Sequence, residues 1–295
     1  MRIIRHSDDL GVTRQSTAQI LDAWQAGHLD GFSIIVNGDA VESIPAGLSA
    51  APDLPARIAI HFNLTEGFPS AAEKEVPMLV GVSGQFCHSF GSLLGTVLFS
   101  SMRKRREFFR QVACECSAQI AAARLICGTR AITAIDGHIH IHMIPGIFAL
   151  IAGVARDAGI PEIRISAEPF YMEDAWRDWR RLFWWVNLIK HILLKAMSIP
   201  ARAVARRLGL CSPEVIIGVL YSGRMSVTRA LRGIAAAANA AEVEVLFHIG
   251  RANSVEAGRW QRLSDAAFHL SEWRDTERGE LGLLSERLRV DDPSI

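Results

Sequence analysis

The sequence predicts an α/β protein, a TIM-barrel-like (β/α) barrel that is distorted and has about seven strands. Three observations carry this expectation. Short apolar runs alternate with longer segments of helical period, the pattern of a mostly parallel sheet. The notable polar residues fall at the C-terminal ends of the predicted strands, which converge on one face of a parallel barrel. At 295 residues, 49% hydrophobic and 21% charged, the chain can fill one large core, so 1–295 reads as a single domain. A doubly wound open sheet would give a similar string of elements; the clustering of polar residues favours the barrel.

Taken in order, strands are expected at Arg2–His6, Phe32–Val36, Arg57–Phe62, Ala131–Ile135, Glu162–Ile165, Glu214–Val219 and Glu242–Phe247. Helix-period segments lie between them at Arg14–Ala26, Arg106–Ala123, Gly146–Ala158 and Ser226–Ala238. Two insertions interrupt the alternation. The first, about 66–104, contains Gly81, Gly84, Gly91 and Gly95 and reads as loop plus a short apolar helix. The second, 167–212, holds Trp176, Trp179, Trp184 and Trp185 with Arg177, Arg180, Arg181, Lys190, Lys195, Arg202, Arg206 and Arg207. Lys190 and Lys195 break its apolar stretch short of the roughly 20 residues a spanning helix needs, so no transmembrane helix is expected. Tryptophan and arginine mixed along an amphipathic segment suit a membrane interface, so 176–195 is expected to contact a bilayer peripherally or to pack on the barrel as a lid.

A net charge of +1 and the lack of a basic stripe interleaved with aromatics argue against a nucleic-acid partner. Five cysteines at irregular spacing, with no C-x-x-C pair, argue against a disulfide framework. The chain runs from Met1 directly into Arg2-Ile3-Ile4-Arg5 with no signal-like apolar region, so a cytoplasmic protein is expected, with the inner face of the membrane as its peripheral alternative.

Four constellations carry chemistry. His6-Ser7-Asp8-Asp9-Leu10-Gly11 ends a strand in two adjacent carboxylates, one able to bind a metal while its neighbour reaches the attacking water. Alone, it reads more readily as a surface turn or helix N-cap. His61 ends a second apolar strand, where a hydrogen-bonded core histidine is the plainer account. Asp136-Gly137-His138-Ile139-His140-Ile141-His142 is the strongest signal: if extended, it places Asp136, His138, His140 and His142 on one face, a costly arrangement to bury without a cation. Strand period leaves the three histidines equivalent. His248 ends the last strand as a general acid, a residue orienting one, or a loop cap. Two imidazoles and one carboxylate with open positions suit Zn²⁺ or another divalent ion; a set richer in carboxylates would suit Mg²⁺.

These motifs resemble the YdjC-like carbohydrate deacetylases, the family of the chitooligosaccharide deacetylases (ChbG) and the hopanoid-associated HpnK proteins. Asp8-Asp9-Leu10-Gly11 matches its D-D-x-G turn, His61-Phe62-Asn63-Leu64-Thr65 its H-x-x-L-T, Asp136 to His142 with Pro145 its D-S-H-x-H-x-H and proline, and His248 its late strand-end histidine. Ser7 stands where alanine is usual, Gly137 where serine is, and Ile249 where a proline follows the late histidine. The resemblance implies a TIM-barrel-like fold, a divalent ion held by Asp9, His61 and His138, and Asp8 as catalytic base. Asp136, His140, His142 and Arg164 are then expected to support those ligands or face substrate. The implied reaction is metal-dependent removal of an N-acetyl group from an amino sugar, carried on an oligosaccharide or a glycolipid. Another metal-dependent hydrolase, an amidohydrolase or phosphoesterase, and a non-catalytic sugar-binding homologue are the alternatives.

Overall fold

The computed structural model describes residues 1–257 and 263–291. Its strands are β1 (Arg2–Leu10), β2 (Gly31–Ile34), β3 (Arg57–Phe62), β4 (Ala134–Gly137), β5 (Glu162–Ile163), β6 (Val215–Ile217) and β7 (Glu242–Phe247). All pair in parallel in one sheet of order β5-β4-β3-β2-β1-β7-β6. That order runs round a circle broken only between β5 and β6. Irregular backbone laces this seam: Ile163 N–H donates to the Cys211 carbonyl at 3.0 Å, Cys211 N–H to Pro161 at 2.9 Å, and Ile216 N–H to Ala167 at 3.1 Å. The expected distorted seven-stranded barrel is therefore what the chain forms.

Strand limits move for local reasons. β1 runs past His6 to Leu10 because its register with β2 shifts between Ser7 and Leu10, where Asp9 takes a left-handed φ of 70°. Such a bulge keeps the chain paired while re-aiming its side chains. β4 ends at Gly137, so the histidine run is not a strand. His138–Met143 forms a tight 3-10 turn in which Ile139 and His140 have φ of 44° and 60°.

Around the barrel lie α1 (Arg14–Gln25), α2 (Ile44–Ser49), α3 (Phe90–Phe99), α4 (Met102–Cys127), α5 (Ile147–Asp157), α6 (Ala175–Asp178), α7 (Leu182–Leu208), α8 (Val227–Ala236), α9 (Ser254–Ala257), α10 (Leu263–His269) and α11 (Trp273–Asp291). Capping sets their starts. Thr13 and Ser89 each accept an N–H in a reciprocal capping box, and Ser101 starts α4 four residues before the expected Arg106. α7 stops at Gly209, left-handed at φ 70°.

The first insertion is held by a polar stripe on α4. Buried Gln111, Glu115 and Gln119 recur every four residues and bond the backbones of Met78, Ser70 and Ala71, and Asn63. The second insertion is chiefly α7, which packs on α5. Its Trp184 is buried as expected of a lid, while Trp176, Trp179 and Trp185 are exposed; the Arg177 side chain lies outside the described residues.

Candidate active site

The strand ends bring together the residues that the sequence singles out. Asp8 and Asp9 lie at the C-terminal end of β1, His61 lies in β3, Asp136 in β4 with His138 just beyond, Arg164 follows β5 and His248 follows β7. All are buried. Asp8, Asp9, His61, His138, His140 and His248 line a cavity of about 240 Å³ with Glu66, Lys190 and His269.

One ligand atom from each of Asp9, His61 and His138 falls within 4.8 Å of the others. Asp9 Oδ1 lies 3.3 Å from His138 Nδ1 and 3.7 Å from His61 Nε2, and the two imidazoles meet edge to face. Donors converging at such separations can surround one ion at ordinary ligand distances of about 2.0–2.2 Å. The remaining atom of each group is already engaged. His61 Nδ1 donates to Asp136 Oδ1 at 2.6 Å, His138 Nε2 donates to Glu66 Oε1 at 3.0 Å, and Asp9 Oδ2 accepts from both Nη atoms of Arg274 at 3.2 Å. These contacts fix each imidazole's tautomer and leave its inward nitrogen as the donor. The residues fit a divalent ion.

Electrostatics agree. Burial would raise the Asp9 pKa, but the His138 hydrogen bond and the Arg274 charge hold it well below the usual carboxylate range. Burial would lower His138 and His61, yet Glu66 and Asp9 hold the first well above its ordinary value, and Asp8 and Asp136 raise the second.

Asp8 is placed differently from its neighbour. Both its oxygens accept from Arg164 Nη1, at 3.0 and 3.1 Å, and Oδ2 lies 3.8 Å from His61 Nε2. Arg164 is the hub of a charged barrel interior. It also meets Asp136 Oδ2 at 2.8 Å and Glu244 Oε1, and Glu244 is held down to about 2 despite burial by Arg164 and Arg57. Asp136 Oδ2 takes a further hydrogen bond of 2.5 Å from Ser33.

The histidine turn separates residues that strand period left equivalent. The expected common face does not form, because the chain bends at Ile139 and His140. His138 alone joins the cluster; His140 Nδ1 meets Ser166 Oγ at 2.9 Å, and His142 Nε2 donates to the Arg164 carbonyl at 3.0 Å. Gly137 leaves the space that the His142 ring fills: a Cβ there would lie 2.7 Å from His142 Nδ1. The non-glycine residues with positive φ among the described residues are Asp9, Ile139 and His140, so backbone strain is concentrated at this site. His248 faces the cavity with Nδ1 unpartnered, its N–H donates to Glu277 Oε2, and burial pulls its pKa down to about 4.

Sequence reasoning missed Glu66, Arg274 and Glu277. Glu66 directly follows Thr65 of a recognised motif, a position that could have drawn notice. Arg274 and Glu277 lie on α11, where only a helical segment with mixed charges is legible.

The YdjC-like protein family model matches residues 2–282. A carbohydrate deacetylase of Mus musculus is 27% identical over 284 residues, covering 88% of this chain and 81% of that protein. One of Homo sapiens is 32% identical over 170 residues, 57% of this chain and 49% of its own length. The chitooligosaccharide deacetylase of Serratia marcescens is 30% identical over 166 residues, 56% of this chain and 60% of its own. The fold is also that of an Enterococcus faecalis protein described as a candidate for cellobiose-phosphate cleavage, with a TM-score of 0.62 at 18% identity over 97% of this chain and 98% of that one. The chain belongs to the YdjC-like protein family.

Proposed function

We propose that this chain is a metal-dependent carbohydrate deacetylase that hydrolyses the N-acetyl group of an amino sugar such as N-acetylglucosamine. The observation that carries this reading is the Asp9, His61 and His138 cluster with a second carboxylate, Asp8, beside it on separate support. The deacetylase names of its relatives support the substrate class. A divalent ion, Zn²⁺ or Mg²⁺, held by Asp9, His61 and His138 would supply Lewis-acid polarisation of the acetyl carbonyl and of the attacking water.

The chain's own residues do the rest. Asp8 takes the proton of the water, and Arg164 keeps the Asp8 carboxylate oriented toward the cavity. Asp136 holds the His61 ring, while Glu66 and Arg274 hold His138 and Asp9. His248, neutral in the resting site because burial pulls its pKa down to about 4, takes a proton from solvent as negative charge develops beside it and passes that proton to the departing amine, and Asp8 returns the water's proton to solvent. His140 faces substrate and His142 supports the turn. The glycan is an oligosaccharide or a lipid-linked glycan such as a hopanoid glycolipid, and the enzyme acts in the cytoplasm or at the inner face of the membrane. The exposed tryptophans of 176–195 favour the lipid-linked form.

The test is acetate release from N-acetylglucosamine oligomers and glycolipids by metal-loaded enzyme, read by mass spectrometry as loss of one acetyl group. Asp9→Ala should abolish metal uptake and activity together. Asp8→Asn should keep the metal and lose about 10²–10⁴ in kcat. Phosphate release from simple esters without acetate release would assign a phosphoesterase instead.

A further inference from the structure

Two segments border the cavity end of the barrel. α3 and α7 both pack on the His138–Met143 turn, which supplies His138 and His140 to the cavity. The inward side of α7 buries Trp184, Leu194 and Met197 and sends Asn187 and Lys190 to the cavity wall. Its outward side carries Leu182 (80% exposed), Trp185, Val186, Ile189 (67%), Ile192 and Ile199, a row at helical spacing open to solvent. At the corner between α3 and α4, Leu98, Phe99 (85% exposed) and Met102 are also open, followed at once by Arg103, Lys104, Arg105 and Arg106.

Charge distinguishes these segments from the rest of the chain. Residues 76–106 and 179–213 contain 11 of the 32 lysines and arginines and none of the 31 acidic residues. Apolar rows of this size mark an interaction surface, and the charge selects its occupant. A second copy of the chain would set basic clusters against each other, whereas an anionic lipid surface complements them while taking up the apolar row. α7 is long and apolar enough to cross a bilayer by length and composition, but its other side is committed to the barrel. It is therefore built to lie on a membrane.

We infer that the cavity end of this protein docks on an anionic lipid surface through the outward face of α7 and the α3–α4 corner. Rings and aliphatic side chains enter at headgroup depth, basic side chains meet lipid phosphates, and the cavity behind α7 is brought to the interface.

The test uses the full chain and sedimentation with vesicles of phosphatidylcholine, with and without about one third phosphatidylglycerol. Wild type should bind the anionic vesicles at least about tenfold more tightly than the neutral ones, and lose that binding as salt rises. Ile189→Glu with Ile192→Glu, and separately Arg103→Glu with Lys104→Glu and Arg106→Glu, should each weaken binding at least about tenfold. These side chains are exposed, so metal uptake and circular dichroism should stay at wild-type values. Equal binding to both vesicle types, unaltered binding by the variants, or wild type left in the supernatant would overturn the inference. So would a wild-type dimer that Ile189→Glu with Ile192→Glu splits, with no vesicle binding. No sugar is present, so failure here and failure of deacetylation are separate results.

Discussion

Asp136→Asn is the sharpest perturbation of the proposed metal centre, because it changes one atom and leaves every ligand in place. Asp136 Oδ1 accepts from His61 Nδ1 at 2.6 Å, while Oδ2 accepts from Ser33 at 2.5 Å and faces Arg164 at 2.8 Å. An asparagine has one acceptor and one donor for these two directions. If its oxygen keeps Ser33 and Arg164, its NH₂ faces His61 Nδ1, and the ring must place its proton on Nε2, the atom needed for the ion. If it flips, the NH₂ abuts the Arg164 guanidinium, an uncompensated contact between donors in a buried site. In the first orientation His61 becomes a poor ligand; in the second it keeps its tautomer, but the clash of donors with Arg164 destabilises the support that holds the ring. Loss of a supporting carboxylate of this kind lowers metal affinity by about 10–100-fold, or roughly 1.4–2.7 kcal/mol. Zn²⁺ titration against a competing chelator measures it directly. Ser33→Ala, which removes one donor to Asp136 and leaves the His61 bond, should cost less. A dissociation constant for Asp136→Asn within about threefold of wild type, with circular dichroism unchanged, would refute the orientation argument, and no uptake by wild type would refute the centre itself.

Arg274→Met should destabilise the metal-free protein by about 3–5 kcal/mol, because buried Arg274 serves Asp9 and the carbonyls of Ile249 and Gly250 together. In thermal unfolding that is a fall in Tm on the order of 10 °C. Saturating Zn²⁺ should recover part of it by neutralising Asp9, and a Tm within about 2 °C of wild type would contradict the role. Stability against pH should form a dome in the metal-free protein. Burial holds His6, His142 and His248 at about 4 and His140 well below its ordinary value, so between the unfolded value of 6.5 and about 4 the unfolded chain binds more protons and stability falls with acid. Glu277, pushed up to about 7 by burial, and Glu115, also raised by burial, oppose this with one proton each, so four histidines less two carboxylates leave about two net protons. These groups together give a slope of roughly 3 kcal/mol per pH unit, steepened toward about pH 4.5 as the unfolded chain also protonates Glu66, Glu244 and Asp9, which stay ionised in the fold. On the other limb, His61 and His138 are raised, so their contribution is complete below 6.5 and is lost as pH rises through their folded values. Metal should abolish that alkaline limb by binding both rings neutral. Urea unfolding from pH 4.5 to 9, with and without Zn²⁺, checks both limbs; a flat acid limb or an alkaline limb that survives metal would contradict the assignment.

What the sequence makes legible is local, and what it hides is carried by contacts between distant segments. Strand-end placement marks Asp8, Asp9, His61, His138 and His248 because a parallel barrel gathers those ends wherever the strands occur. Strand period fails at His138–Met143, where left-handed Ile139 and His140 and the His142 ring over Gly137 override it. Adjacent carboxylates give even less away. In sequence, Asp8 and Asp9 are interchangeable. In the fold, the bulge in β1 turns Asp8 toward Arg164 beyond β5 and Asp9 toward Arg274 on α11, so each carboxylate has its own guanidinium. Both arginines are fully buried, and each leaves part of its carboxylate facing the cavity. Neighbours one bond apart in the chain thus acquire separate electrostatic environments from elements more than 100 residues apart. This separation is what permits one of them to hold an ion while the other accepts a proton. No local pattern encodes it, because the two residues that create it are single arginines in otherwise ordinary segments.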